Sequence, residues 1–517
     1  MRIETEIELD YSDVLIKPRR STIASRKDAD VTREYKFKWS GKTVKGTGIM
    51  QANMGTIGNF EVSRKMLNAG LFACLHKHHN IDELVEFYRT LMNIDYQYGD
   101  TYLRCLLAVG LKDNGVEKVR EIKRQLGITV SVRLDVPNGY IPQIKQLVMD
   151  LRAEFPDMII FVGNVVTGDI TEDLILSGAD VVLCGIGGGS NCILGSTKVK
   201  TIDGYKKMRD ICEGDFVQTH TGEYHKVLTK LCYNYHYEKI NINGIECTPE
   251  HKLYVVNKKD IDNITEDNYT EFAYWVEACK LDEDIQMLIK INDINVPIDF
   301  VKIKRGYVVK NDENVYDIEV ETDHSFVVND GIVAHNCLTR KQTGVGRPQL
   351  SAVIECADAA HQVGGMVCAD GGINCPGDIG KAFGAGGDFV MIGGLYAGTD
   401  EAEGEIILKY YKTGEVTEDR APVYTCKKFK QFYGMSSTLA QEKFGNGKPS
   451  YRASEGRVTL VPYVGSVDDV NEEFLGGLRS TMTYLGAKRL KDIPKCCVFY
   501  RVNHQLNTIY ENTTIGK

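Results

Sequence analysis

Short, wholly apolar runs ending in glycine or aspartate recur along this chain and alternate with stretches of helical pattern. Met158-Ile159-Ile160-Phe161-Val162-Gly163 precedes a helical Thr171-to-Ser177, which precedes Val181-Val182-Leu183-Cys184-Gly185. Far downstream the pattern resumes with Met366-Val367-Cys368-Ala369-Asp370-Gly371-Gly372, a helical Asp378-to-Gly384, and Asp388-Phe389-Val390-Met391-Ile392-Gly393-Gly394. A strand that is apolar on both faces has to be covered on both, so the alternation predicts an α/β fold whose parallel sheet is wrapped by helices. Closed eight-fold as a (β/α)8 TIM barrel, such a sheet carries its ligand groups at the strand C-termini, where these Gly and Asp residues fall.

Between the two blocks the sequence changes character. From Cys192 to Asn336, the turn pairs Asp203-Gly204, Thr221-Gly222 and Asn243-Gly244 separate short β-branched or aromatic runs such as Val315-Tyr316-Asp317-Ile318-Glu319-Val320. This is the punctuation of an all-β fold. A block of roughly 145 residues is far longer than a barrel loop, which is usually a few residues. The expected organisation is therefore 1–191 and 337–517 as two parts of one barrel, with 192–336 as an inserted all-β domain.

Net charge excludes some partners. At -9 over 517 residues, with no long basic run, there is no electrostatic footprint for nucleic acid, and a small ligand is the expected partner. The start, Met1-Arg2-Ile3-Glu4-Thr5-Glu6, is acidic where a secretory signal is apolar, and no apolar run reaches the roughly 18 residues of a membrane helix. No membrane partner and a cytoplasmic location are expected. Fifteen cysteines, unpaired by spacing, predict reduced thiols with at least one reactive.

The inserted block has Cys192 at its first position, Thr248-Pro249-Glu250-His251 in its middle, Asp317 and His324 later, and His335-Asn336 before Cys337. It resembles a class 1 mini-intein of the HINT fold, without an endonuclease. The residue types suit the chemistry the resemblance implies. Cys192 moves its acyl linkage from nitrogen to sulfur, while Thr248 and His251 polarise and protonate the amide. Cys337 then takes the acyl group with support from Asp317 and His324. Finally Asn336 cyclises, assisted by His335, and Asn191 is joined to Cys337.

Deleting the insert restores Gly185-Ile186-Gly187-Gly188-Gly189-Ser190-Asn191-Cys337-Leu338-Thr339-Arg340. This resembles the cysteine loop of the IMP dehydrogenase/GMP reductase family, and the likeness runs over nearly all of the host sequence. It implies that Cys337, as a thiolate, adds to carbon two of the purine of GMP. Ammonia leaves with a proton from Thr339 working with Glu455, and NADPH supplies hydride to give IMP. The resemblance assigns the nucleotide to Ser190, Asp370, Gly371, Gly372, Gly393, Gly394, Gly434, Met435 and Ser436, with Arg452, Ser454 and Gly456 at the base. Asp370 would hold the ribose hydroxyls, and the glycine N–H groups the phosphate.

No G-x-G-x-x-G follows a first strand, so a Rossmann domain is not expected. The resemblance places NADPH across the barrel mouth, on Ser25, Arg26, Lys77, Asp135, Val136, Pro137, Ile186 and Gly187. It also implies a potassium site from the carbonyls of Gly187, Gly189 and Cys337 near Arg340, and a homotetramer. Asn53-Met54-Gly55-Thr56 departs from the family's Asn-Met-Asp-Thr by one carboxylate, and Asn191 replaces a small apolar residue. The alternatives are IMP dehydrogenase, whose Arg-Tyr flap finds no match between Tyr433 and Arg457, and a splicing element in an inactive host, against which the intact cysteine loop and Glu455 argue.

Overall fold

The computed structural model describes residues 7–93, 100–111, 113–136, 138–186, 193–235, 239–248, 251–265, 268–278, 281–291, 298–306, 313–321, 325–335, 345–416, 422–433 and 458–502. It divides into two compact units, Met1–Gly188 with Val345–Asn503, and one built on Gly189–Gly344.

In the first unit eight strands form one all-parallel sheet. They are β1 (Ile49–Gln51), β2 (Ala73–Leu75), β3 (Cys105–Val109), β4 (Ser131–Asp135), β5 (Ile160–Val165), β6 (Val181–Cys184), β7 (Met366–Asp370) and β8 (Phe389–Ile392). From β2 to β8 each pairs with the next in chain order, and β8 pairs with β1. The ring closes between β1 and β2, where Phe72 N–H donates to Ile49 O at 3.0 Å and Met50 bridges Phe72 in parallel. The sheet is therefore a closed barrel of the TIM type.

Helices follow each strand: α1 (Phe60–Asn68), α2 (Ile81–Met92), α3 (Gly115–Leu126), α4 (Pro142–Glu154), α5 (Gly168–Leu176), α6 (Gln349–Gln362), α7 (Pro376–Gly384) and α8 (Val467–Leu485). Their ends follow local chemistry. Asn59 and Asn80 cap α1 and α2 by accepting from Val62 and Glu83 N–H at 2.9 Å, and Gly127 and Gly486 end α3 and α8 in the left-handed region. The run expected to end at Gly163 continues as strand to Val165, because β5 keeps pairing with β6 across a register shift. A three-stranded antiparallel sheet, Ile406–Val416, Pro422–Tyr433 and Val458–Pro462, was not expected from the sequence.

Aromatic side chains close the N-terminal end of the barrel. The hairpin Arg33–Lys36 and Thr43–Gly46 brings Tyr35 into a stack on Phe389, with centroids 4.4 Å apart, and Phe37 to 6.2 Å from Phe161. Phe72 meets Phe389 edge-on at 5.1 Å. With this end filled, the strand C-termini are left as the ligand end.

Asp388, buried at the start of β8, accepts hydrogen bonds from Arg33 at 2.7 Å, His361 Nε2 at 2.8 Å and Val367 N–H at 3.0 Å. The Asp388 hydrogen bond raises the His361 pKa above its usual 6.5 against the opposing effect of burial. A raised value means stability fully present below pH 6.5 and lost as pH rises through the folded-state value. His361→Gln is therefore expected to lower the melting temperature more at pH 6 than at pH 8.5. Thermal melts of both proteins across that range check it, and an equal deficit at both ends would refute it.

The second unit is all-β apart from the four-residue helix Tyr269–Phe272 and short 3-10 turns, among the described residues. Fourteen strands form one connected antiparallel sheet, whose longest pairing joins Tyr224–Tyr235 to Glu313–Val320. Its core is Val199, Leu253, Val255, Leu288, Phe326 and their neighbours. Asn243 and Gly244 both have positive φ, 49° and 80°, and join Ile240–Ile242 to Ile245–Cys247 as a tight hairpin. Asp203-Gly204 and Thr221-Gly222 likewise fall between paired strands.

Candidate active site

At the ligand end of the barrel the central side chain is one the sequence reading did not name. Arg133, in the middle of β4, is buried at 5% exposure and lies under the mouth. Its guanidinium donates to Asn53 Oδ1, to Asp135 Oδ1 at 2.7 Å, and to Asn164 Oδ1 and Asp370 Oδ2 at 3.2 Å each. It thus ties the ends of β1, β4, β5 and β7 together. Asn164 adds Nδ2 bonds to Asp370 Oδ2 at 2.8 Å and to Gly185 O at 2.9 Å. An arginine inside the apolar run Ser131-Val132-Arg133-Leu134-Asp135 is the sequence signal that could have found it, since a charge in a both-faces-buried strand needs partners.

Burial raises the Asp370 carboxyl pKa above its usual range, and Arg133 and Asn164 pull it back. The carboxylate therefore sits at the rim, held on one oxygen by two donors. Gly371 and Gly372 follow it with φ of 90° and 77°, a left-handed pair in which other residues would be strained. Gly393 and Gly394 open the turn after β8, their carbonyls accepting from Tyr396 and Ala397 N–H at 3.1 and 3.2 Å. All four glycines stand at the C-terminal ends of β7 and β8.

Gln349, the first residue of α6, braces the stretch before the cysteine loop. Its Nε2 donates to Cys184 O at 2.8 Å and Asp370 O at 3.2 Å, while Asp10 Oδ1 accepts its N–H at 2.6 Å. Gly185 passes so close that a Cβ there would stand 2.0 Å from Asp370 O. Its φ of 152° adds a second reason for glycine. Ile186 follows, its carbonyl accepting weakly from Arg347 N–H at 3.4 Å.

Of the residues expected to hold the dinucleotide, Lys77, Asp135, Val136 and Ile186 lie at this same end. Lys77 keeps 28% of its side chain exposed and stands 3.8 Å from Asp113. Lys118, the neighbouring cation, is committed to Lys77 O at 2.8 Å and His79 O at 2.6 Å. Of these two lysines, Lys77 is the more exposed. His78 is pushed down to about 4 by burial and the two lysines, so it is neutral near pH 7. Ser25 and Arg26 are exposed elsewhere: Ser25 caps the 3-10 turn Arg26–Asp28, and nearby Asp30 is held by Lys488 O and Leu490 N–H. Among the described residues no hydrogen bond or ion pair joins these two residues to the mouth.

Pro137, Gly187, Gly189, Ser190, Cys192, His324, Asn336, Cys337, Thr339, Arg340, Gly434, Met435, Ser436, Arg452, Ser454, Glu455 and Gly456 lie outside the described residues. Among the described residues no group of acidic, histidine and cysteine side chains is arranged to hold a metal, and no helix is long and apolar enough to cross a membrane.

In the second unit Thr248 and His251 are fully buried and Asp317 is 2% exposed. His251 N–H donates to Thr248 O at 2.9 Å. The Ile193–Leu194 strand, which starts one residue after Cys192, runs between Ile245–Cys247, the strand that Thr248 follows, and Glu313–Val320, which carries Asp317. The Ile332–His335 strand pairs with the strand that starts after His251, through Leu253 and Ala334, and with the strand that starts after His324, through Ser325 and His335.

Comparison with known sequences bears on this barrel directly. The model of the IMP dehydrogenase / GMP reductase domain matches residues 8–217 and 286–508, well over half of the chain. The chain belongs to the IMP dehydrogenase/GMP reductase family. This family's members are oxidoreductases, and GMP reductases are among the relatives. GMP reductases of Vibrio parahaemolyticus, Vibrio cholerae and Aliivibrio fischeri are each 31% identical to this chain over 510 residues, covering 99% of both sequences. Residues 218–285, which the family's domain leaves unmatched, lie wholly in the all-β second unit.

Proposed function

We propose that this chain is the precursor of an NADPH-dependent GMP reductase, and that residues 192–336 remove themselves by protein splicing. The observation that carries the reading is where the barrel is interrupted. The second unit enters between β6 and β7, after Gly185 and Ile186, in the loop whose restored sequence delivers Cys337. The two junction motifs stand at that interruption, and the GMP reductases of the Vibrio relatives favour the reductase over IMP dehydrogenase.

In the ligated enzyme the Cys337 thiolate forms a bond to purine carbon two. The carbon–nitrogen bond to the 2-amino group breaks, and ammonia leaves after Thr339 and Glu455 relay a proton to it. NADPH, when bound, supplies the hydride that reduces this carbon. The carbon–sulfur bond then breaks and IMP is released with the thiolate restored. Asp370, fixed by Arg133 and Asn164, accepts the ribose hydroxyls, and the glycines after β7 and β8 offer N–H groups to the phosphate. Lys77 would meet the cofactor's phosphate. The same reading takes the working enzyme as a cytoplasmic homotetramer that binds potassium through the Gly187, Gly189 and Cys337 carbonyls near Arg340.

Expression of the whole chain is expected to yield a ligated host and a free insert by intact mass, and the ligated host should consume NADPH with GMP and release ammonia. Precursor alone after long incubation would refute splicing. NADH formation from IMP and NAD without GMP-dependent NADPH loss would move the assignment to IMP dehydrogenase.

A further inference from the structure

Beside the closed N-terminal end of the barrel lies a cavity of about 260 Å³ whose polar lining is Arg33, His361, Asp388, Lys491 and Lys495. The hairpin strand Arg33–Lys36 supplies the arginine, the last turn of α6 the histidine, and the residue before β8 the aspartate. The lysines come from two successive turns, Leu490–Asp492 and Ile493–Cys496. Asp388 has both oxygens engaged, Oδ1 by Arg33 at 2.7 Å and Oδ2 by His361 Nε2 at 2.8 Å and Val367 N–H at 3.0 Å. It thereby fixes two of the basic groups in place. Neither Lys491 nor Lys495 is in an ion pair among the described residues. The carboxylates nearest in sequence are taken by others: Arg489 holds Asp492 at 2.7 and 3.0 Å, and Gln362 donates to Asp358 at 3.0 Å.

Three cations therefore share this lining with one carboxylate. α6 and α7 end beside the cavity, and a helix C-terminus carries about half a negative charge, so the two ends offset the excess only in part. Gly386 and Gly387 N–H are already used, on Phe383 O and Ala382 O at 3.1 and 3.0 Å, which leaves side chains as the donors. We propose that the cavity binds a small phosphate-class oxyanion, held by Lys491, Lys495 and Arg33. Pockets that enclose a drug-sized ligand start near about 300 Å³, so this space suits orthophosphate or pyrophosphate rather than a whole nucleotide. The Arg33 ion pair uses Nη1, and a guanidinium has further donors, so it meets the anion without releasing Asp388. A bound ion joins the Leu490–Lys495 segment to the start of β8 and relieves the repulsion among the cations. The site lies at the opposite end of the barrel from the mouth and is independent of the reaction proposed there.

The probe is pyrophosphate, titrated by calorimetry into the full-length chain carrying Cys192→Ala and Asn336→Ala so that one species is present. Acetylation by acetic anhydride, read by peptide mass, shows which lysines the ion covers. Lys491 and Lys495 are expected to be protected, and Lys123 on α3 to react as before. Lys491→Gln together with Lys495→Gln is expected to raise the Kd at least about tenfold, the scale of losing one charge-assisted hydrogen bond, and to leave the ion-free melting temperature unchanged. No saturable binding, or an unchanged Kd in that variant, overturns the proposal. So does protection of Lys77 at the mouth without protection of Lys491 and Lys495, and so does weaker binding that comes with a lowered ion-free melting temperature, which would make the lysines structural. ADP separates a free ion from the phosphate tail of a nucleotide. A Kd no tighter than that of pyrophosphate supports the small-ion site, whereas lysine-dependent binding more than about tenfold tighter would assign the cavity to a nucleotide and overturn it.

Discussion

A precursor blocked at both junctions by Cys192→Ala and Asn336→Ala is expected to turn over GMP at least about a hundredfold more slowly than the ligated protein. Under the proposed reading Cys337 has two tasks in this chain. It receives the acyl group during splicing, and after splicing it attacks the purine. Until ligation its amide nitrogen is bonded to Asn336 rather than Asn191, so the stretch from Gly187 to Arg340 is not yet one loop. A displacement of about 1 Å at a reacting atom already costs around a hundredfold, and interruption by a whole domain is a larger disturbance than that. NADPH consumption by purified precursor and by ligated host, compared per mole, decides the matter. Equal rates would show that the thiol is placed without ligation. Cys337→Ser separates the two tasks further, because a hydroxyl can still accept the acyl group slowly but is a far poorer nucleophile toward the purine. The expected result is some ligated product without reductase activity.

The sequence discloses the barrel because each strand is buried on both faces and so carries its own signature. β6 to β8 lie within apolar runs that stand out without any knowledge of their neighbours. The turns of the second unit are legible for a similar reason. Asn243-Gly244 needs positive φ at both positions, and that demand is written in the residue types themselves. What stays hidden depends on contacts distant in the chain. Arg133 meets Asp370 across 237 positions, and the stack of Tyr35 on Phe389 joins a hairpin to a strand more than 300 residues away. No local pattern encodes either.

Replacing Arg133 by Met is expected to destabilise the barrel by about 3 kcal/mol at pH 7, toward the lower end for breaking a buried ion pair. The lower end applies because Asp370 and Asp135 retain 18% and 22% side-chain exposure, so water still reaches them in part. Without the guanidinium, Asp370 keeps Asn164 but loses its cation, and Asn53 and Asp135 lose a donor as well. The Asp370 pKa is already raised by burial, and removing Arg133 takes away the charge that lowers it. Its folded-state value should climb further above the unfolded one. A carboxyl raised in this way favours the folded state at low pH, where it is neutral, and burdens it as pH rises through the folded value. The deficit of Arg133→Met should therefore shrink as pH falls from 7 toward 5. Asp370→Asn in the same chain should recover part of the loss at pH 7 and flatten its pH dependence, since no buried charge then remains at β7. Urea titrations of the single and double variants at the two pH values measure this coupling. A deficit that is independent of pH and untouched by Asp370→Asn would mean that Arg133 holds the mouth by packing alone.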